Sequence, residues 1–151
     1  MVEDVLGAIR SVAGQVLEDM TFLFTEEFDG GEPLEADLVA AELEFKAEKS
    51  GRIRVVADCG LCREMAANML GTDPDDPESD EKCRDALGEY VNVIGGILME
   101  HLFPGASDHS IGVPKVMCSI SPDELSTNDG DVTVSLIDEE ERRMEISILW
   151  A

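Results

Sequence analysis

Positive charge is what this chain has least of. Its 151 residues hold 11 Lys and Arg against 34 Asp and Glu, a formal charge of −23. Displacing counterions from a nucleic-acid duplex and holding an anionic lipid surface both need clustered Lys and Arg, so neither partner suits this composition. Long apolar runs are missing too. None approaches the ~20 residues of a membrane span, and the opening MVEDVLGAIR puts acid where a signal peptide has its basic region. A cytoplasmic setting is expected, in which Cys59, Cys62, Cys83 and Cys118 stay reduced and do not staple the fold. Histidine is scarce: His101 and His109 are the only two, and with no matched Ser or Cys nucleophile they make no triad. Glycine-rich phosphate cradles are absent, since the DGGEP turn at 29–33 fits neither GxGxxG nor GxxxxGK.

What is present is periodic. Disordered acidic chains lack the regular apolar blocks seen here, and a chain that is 44% hydrophobic at this length can bury one core, so residues 1–151 are expected as a single domain. Val5, Ile9, Val12, Val16 and Met20 follow the stripe of an amphipathic helix over 2–20. Strand-like runs at roughly 36–47 and 51–58, with Gly51 closing a short connection, read as a β-hairpin. A short second helix is predicted from Leu61 to Leu70, stopped at Gly71. The acidic, proline-bearing stretch 72–81 reads as a solvated loop that supplies negative charge to the start of a third helix, about Asp80 to Leu102. It lacks the ligand spacing of a calcium loop. A strand from Ile111 to Ile120 and a C-terminal hairpin complete three helices and five or six strands, an α+β chain with a mainly antiparallel sheet.

The third helix carries the chemistry. Cys83, Leu87, Tyr90, Val91, Ile94, Ile97 and Leu98 form one broad apolar side, while Asp85, Glu89, Asn92, Gly96 and Met99 fall on a separate stripe. Glu89 and Asn92 point into the same space and can touch one external group. Gly95 and Gly96 each cost about 1 kcal/mol against Ala in mid-helix, which suggests that something approaches closely there. A carboxamide holds a water and a carboxylate pairs with a cation, so the pair suits placement more than proton abstraction. Phosphoryl transfer, driven by in-line positioning and charge neutralisation, fits such a minimal pair. The same two residues also suit an ordinary wet helix face.

The run Asp85-x-x-x-Glu89-x-x-Asn92, inside DALGEYVNVIGG and followed downstream by Pro114, resembles the signature of the CheC and CheX chemotaxis phosphatases. The interval to Pro114 is one residue shorter than in that pattern. The first helix, the hairpin, the helix ending MAANMLG, the acidic loop and GVPKV agree with it as well, so the likeness spans most of the chain. The resemblance implies a phosphatase acting on the aspartyl phosphate of a CheY-type receiver domain. In that picture Asn92 orients the attacking water and Glu89 holds the receiver's lysine. Asp85 and Gly96 would add partner contacts, and Pro114 would fix the entry to a strand. The resemblance also implies no cofactor of the chain's own, with Mg²⁺ belonging to the receiver. One ExxN motif, where CheC-type proteins tend to have two, points to the CheX branch and so to a homodimer. The alternative is a non-catalytic receiver-binding or flagellar-switch-like adaptor with the same fold.

Two other features stand outside that pattern. Cys59-Gly-Leu-Cys62 at a strand-to-helix junction is a place where a thiol pKa can fall, yet no thioredoxin-like order surrounds it and Cys is often a plain buried residue. The terminal run ISILW could be an edge strand that pairs with a second copy.

Overall fold

The computed structural model describes residues 2–151 apart from 36, 72, 74, 76–78, 106–107 and 126. Helix α1 (Val2–Thr21) leads to a short strand β1 (Thr25–Glu27), followed by the hairpin β2 (Leu38–Lys46) and β3 (Gly51–Asp58). Helices α2 (Cys59–Leu70) and α3 (Ser79–Leu102) follow, then β4 (Ser110–Ile111), β5 (Lys115–Ile120), a 3₁₀ turn at Pro122–Glu124, β6 (Val132–Asp138) and β7 (Arg143–Trp150). The expected α+β architecture is present, with seven strands. The additional strands, β1 and β4, have three and two residues, too few for alternation to show in sequence.

The strands form one antiparallel sheet in the order β1-β6-β7-β3-β2, with β4 and β5 both paired to the outer edge of β2. Alternation along the strands separates two faces. Val39, Ala41 and Leu43 of β2, Ile53 and Val55 of β3, and Ile146 and Ile148 of β7 join the main core with the three helices. Leu38, Ala40 and Val56 point the other way, into a smaller cluster with Leu34 and Ile120. Gly51 begins β3 because a Cβ there would lie 2.5 Å from the Leu149 carbonyl oxygen on β7.

Several expectations change. The C-terminal hairpin is not an edge: β7 lies between β6 and β3, so its backbone is already paired on both sides. The stretch Ile111 to Ile120 is two strands, because Pro114 has no N–H to give and the chain turns at Gly112, whose N–H donates to Glu44 O at 2.8 Å. Helix α2 begins two residues before Leu61, where the Asp58 carboxylate accepts from the Gly60 N–H at 2.8 Å and caps it, and it ends at Gly71 in a left-handed turn. Most of the acidic stretch 72–81 lies outside the described residues, and its last three residues are helical. Residue 36, the expected start of the hairpin, also lies outside them.

Candidate functional site

Helix α3 is held by two rows of buried residues, each spaced by four. Cys83, Leu87, Val91, Gly95 and Met99 form one row; Ala86, Tyr90, Ile94 and Leu98 form the other. These are the ridges that pack a helix onto its neighbours. Tyr90 fixes the helix further: its side chain is fully buried and its hydroxyl donates to the Ala13 carbonyl on α1 at 2.7 Å. Burial with no charged partner pushes the Tyr90 phenol far up from its ordinary range.

The opposite rows face solvent. Gly88, Asn92 and Gly96 make one, with Asp85 and Glu89 beside it, and Asp85, Glu89 and Asn92 are all exposed. Asn92 therefore stands between two glycines one turn away on either side, its carboxamide flanked by bare backbone. Glu89 and Asn92 are three residues apart, ~4.5 Å along the axis. Among the described residues, neither makes a side-chain hydrogen bond or ion pair, so both retain their full bonding capacity for an outside group.

Facing them is the segment between β4 and β5. Gly112, Val113 and Pro114, with Val116 of β5, form the far wall of an open groove of about 470 Å³ whose near wall is Arg84, Asp85, Gly88, Glu89 and Asn92. A Cβ on Gly88 would sit 3.6 Å from Val116 Cγ2 and 3.8 Å from Pro114 Cβ, so the walls meet at this glycine and it forms the floor. Arg84 is oriented by its Nε, which donates to Cys118 Sγ on β5 at 3.2 Å. Val113 is 83% exposed at the rim, an unusual position for a β-branched apolar side chain.

The structure thus brings Asp85, Glu89, Asn92 and Pro114 together in one groove. Pro114 does two things, ending the turn into β5 and lining the groove. Gly96 lies one turn beyond Asn92, and beyond its immediate neighbours and its own helix backbone nothing comes within 4 Å of the place a Cβ would occupy, so no other element packs against it. At Gly95 one does: a Cβ would collide with Leu43 Cδ2 on β2. Two assignments on α3 are corrected. Met99 belongs to the core, not to the site stripe, and Ile97 is 37% exposed, not part of the apolar side. Both follow from the slant of the four-residue rows, which carries the buried face around the helix toward its C-terminal end. Arg84, Gly88 and Val113 were missed in the sequence. Gly88 was findable, being one turn before Asn92.

The remaining cysteines and histidines lie apart from the groove. Cys62 Sγ donates to the Cys83 carbonyl at 3.4 Å; a side-chain hydrogen bond with the Cys83 thiol, and then burial, push the Cys62 thiol up, and burial raises Cys59 as well. A reactive thiolate needs the reverse. His101 lies in the last turn of α3, where a cation suits the helix dipole, and His109 Nε2 is 3.8 Å from Glu100. Among the described residues no helix is long and apolar enough to cross a membrane.

Comparison with solved structures recovers this fold throughout. CheX from Vibrio vulnificus aligns over 97% of this chain and 96% of its own, with a TM-score of 0.77 and 20% identity. CheX from Borrelia burgdorferi, solved in a complex with CheY, BeF3 and Mg²⁺, aligns over 99% and 96%, with a TM-score of 0.75 and 20% identity. FliY from Thermotoga maritima aligns over 95% and 84%, with a TM-score of 0.62 and 20% identity. A search of curated proteins returned no match. The model of the family described as chemotaxis phosphatase CheX matches residues 39–136, which include the helix with Glu89 and Asn92 and the turn at Pro114, and the chain belongs to that family.

Proposed function

We propose that residues 1–151 act in the cytoplasm as one CheX-type unit that removes the phosphoryl group from the aspartyl phosphate of a CheY-type receiver. The observation that carries this is the pairing of Glu89 and Asn92: two exposed, unpartnered side chains on adjacent rows of a rigidly packed helix, over an open groove. The helix edge enters the receiver's phosphorylation site. Asn92 accepts a hydrogen bond from a water in line with the phosphorus–aspartate bond, and Glu89 pairs with a receiver lysine and sets the register. Water attacks phosphorus, the aspartate oxygen leaves with the bonding pair, and the products are inorganic phosphate and the free carboxylate. Catalysis is placement in a water-poor contact. Mg²⁺ is held by the receiver, and Asp85 and Gly96 contribute the surrounding contact.

The reading includes a homodimer. With β7 inside the sheet, the open strand edges among the described residues are β1 and the β4–β5 side, and size-exclusion chromatography giving a monomer at micromolar concentration would contradict it.

The test follows phosphate release from a phosphorylated receiver. Asn92→Ala is expected to slow release by about 10²-fold with binding retained, as loss of a positioning group does, and Glu89→Ala to weaken binding by about tenfold, as loss of a charge-assisted hydrogen bond does. Binding without acceleration by the wild type would leave the adaptor reading, in which the same face docks a receiver without chemistry.

A further inference from the structure

At the sheet edge opposite the groove, the turn between α1 and β1 holds two phenylalanines in solvent: Phe22 is 73% exposed and Phe24 is 58% exposed. Paired exposed aromatics beside concave surface are the usual anchors of an interface. Their placement is imposed by the fold. Phe22 has φ +58°, a left-handed conformation that bulky residues rarely adopt. It is held there by its own N–H, which donates to Glu18 O at 2.9 Å, and by Asn68 Nδ2 on α2, which donates to Thr21 O at 2.7 Å.

The surroundings are acidic on both sides. One hollow, about 310 Å³, lies between the two rings and Glu64, Glu139 and Glu140; a second, about 240 Å³, joins Phe24 to Glu26, Ile137 and Glu139. Among the described residues lining them Arg142 is the one cation, and it is already engaged by Asp138 at 2.7 Å, Glu64 at 3.0 Å and Glu140 at 3.5 Å. Glu26 and Glu139 have no cationic partner among the described residues and leave negative charge beside the rings. Strand β1 itself pairs with β6 on one side and leaves its other edge open.

We propose that this surface docks a partner protein through an extended basic segment in which apolar and Lys or Arg side chains alternate. The apolar side chains of one face reach Phe22 and Phe24, while the long cationic side chains between them bend back past the segment to meet Glu26, Glu139 and Glu140 at the same hollows. Charge selects this occupant. A second copy meeting this surface with its own would set Glu26 and Glu139 against the same acids, and an anionic lipid surface would be repelled. The site lies across the sheet from the catalytic groove, so a partner held here leaves Asn92 free to act.

The experiment measures binding of a labelled, end-blocked peptide of alternating lysine and leucine to the full chain by fluorescence anisotropy, beside a lysine–serine peptide of equal charge. The variant is Phe22→Asn with Phe24→Ser; Asn tolerates the left-handed backbone, and an unchanged thermal melt confirms folding. The lysine–leucine peptide is expected to bind the variant about tenfold more weakly than the wild type, and the lysine–serine peptide to treat the two alike. Phosphate release from a receiver is expected to be the same for both proteins. Equal lysine–leucine affinities, or no binding, overturns the proposal. So does a dimer in the wild type that the double substitution abolishes, because a second copy would then be the occupant.

Discussion

Gly95 on α3 lies so close to Leu43 on β2 that a Cβ at 95 would run into Leu43 Cδ2, a side chain that is itself fully buried. Its neighbour Gly96 meets nothing. The two glycines therefore answer oppositely to the same substitution. Gly96→Ala gains the helix propensity that glycine forfeits, up to about 1 kcal/mol. Gly95→Ala gains the same amount but forces the core apart, at about 1–3 kcal/mol. Urea unfolding should show Gly96→Ala at or above wild-type stability and Gly95→Ala below it. Equal midpoints would mean that α3 can slide away from β2.

Gly88 and Gly96 bracket Asn92, and side chains at either position stand where the proposed docking brings the receiver surface. Gly88→Ala fits, because the contacts it makes to Val116 and Pro114 are of ordinary van der Waals length. Gly88→Leu and Gly96→Leu put bulk over the groove floor and beside Asn92. Both are expected to lower receiver dephosphorylation by at least about tenfold, the effect of displacing a reacting group by a fraction of an ångström to an ångström. Melting temperatures should stay near wild type for Gly96→Leu, whose site is open, which separates obstruction from unfolding.

The part of the fold legible in the sequence is the part that alternates or repeats over many residues. Helix α1, the β2–β3 hairpin and α3 announced themselves by period, whereas β1 and β4 are too short to have one. Misreadings on α3 have one geometric source. A stripe of mixed threes and fours stays at one angle, whereas the buried positions here repeat every four residues, in adjacent pairs from Ala86 and Leu87 to Leu98 and Met99. Each such step turns past a full revolution, so the face drifts around the axis and takes in Met99 while releasing Ile97. The ExxN pair was visible because three residues is too short an interval for drift to matter. The far wall of the groove was not: only the pairing of β4 and β5 to β2 brings Gly112, Val113 and Pro114 across from Asn92, and nothing local in sequence encodes that.

Tyr90 gives the fold an alkaline limit. Burial raises its phenol above the ordinary value of 10.0, so the folded state keeps the proton that the unfolded chain gives up. A raised pKa in the folded state contributes stability that is fully present below pH 10 and is lost as pH climbs above it, at about 1.4 kcal/mol per pH unit for one group. Tyr90→Phe removes that slope. It also removes the hydrogen bond to Ala13 O, at about 1 kcal/mol. The variant should be less stable than wild type at pH 8, and the difference should shrink or reverse above pH 11 in denaturant titrations. A constant difference across that range would mean that the phenol reaches water.

Charge governs how the two proteins meet. The chain carries −23, and an aspartyl phosphate in an acidic receiver pocket carries the same sign, so the long-range approach is repulsive and, on the function proposed above, the contact rests on local pairs such as Glu89 with a receiver lysine. Salt screens the long-range part over about 10 Å at 0.1 M and leaves a desolvated pair much less affected. Raising NaCl should therefore leave receiver affinity unchanged or strengthen it. The basic segment proposed for the Phe22–Phe24 surface should behave in the opposite way, weakening with salt because attraction brings it in. Measuring both affinities on one protein across one salt series distinguishes the surfaces by the sign of the slope, and a steep salt-induced loss of receiver binding would contradict a contact made locally through Glu89.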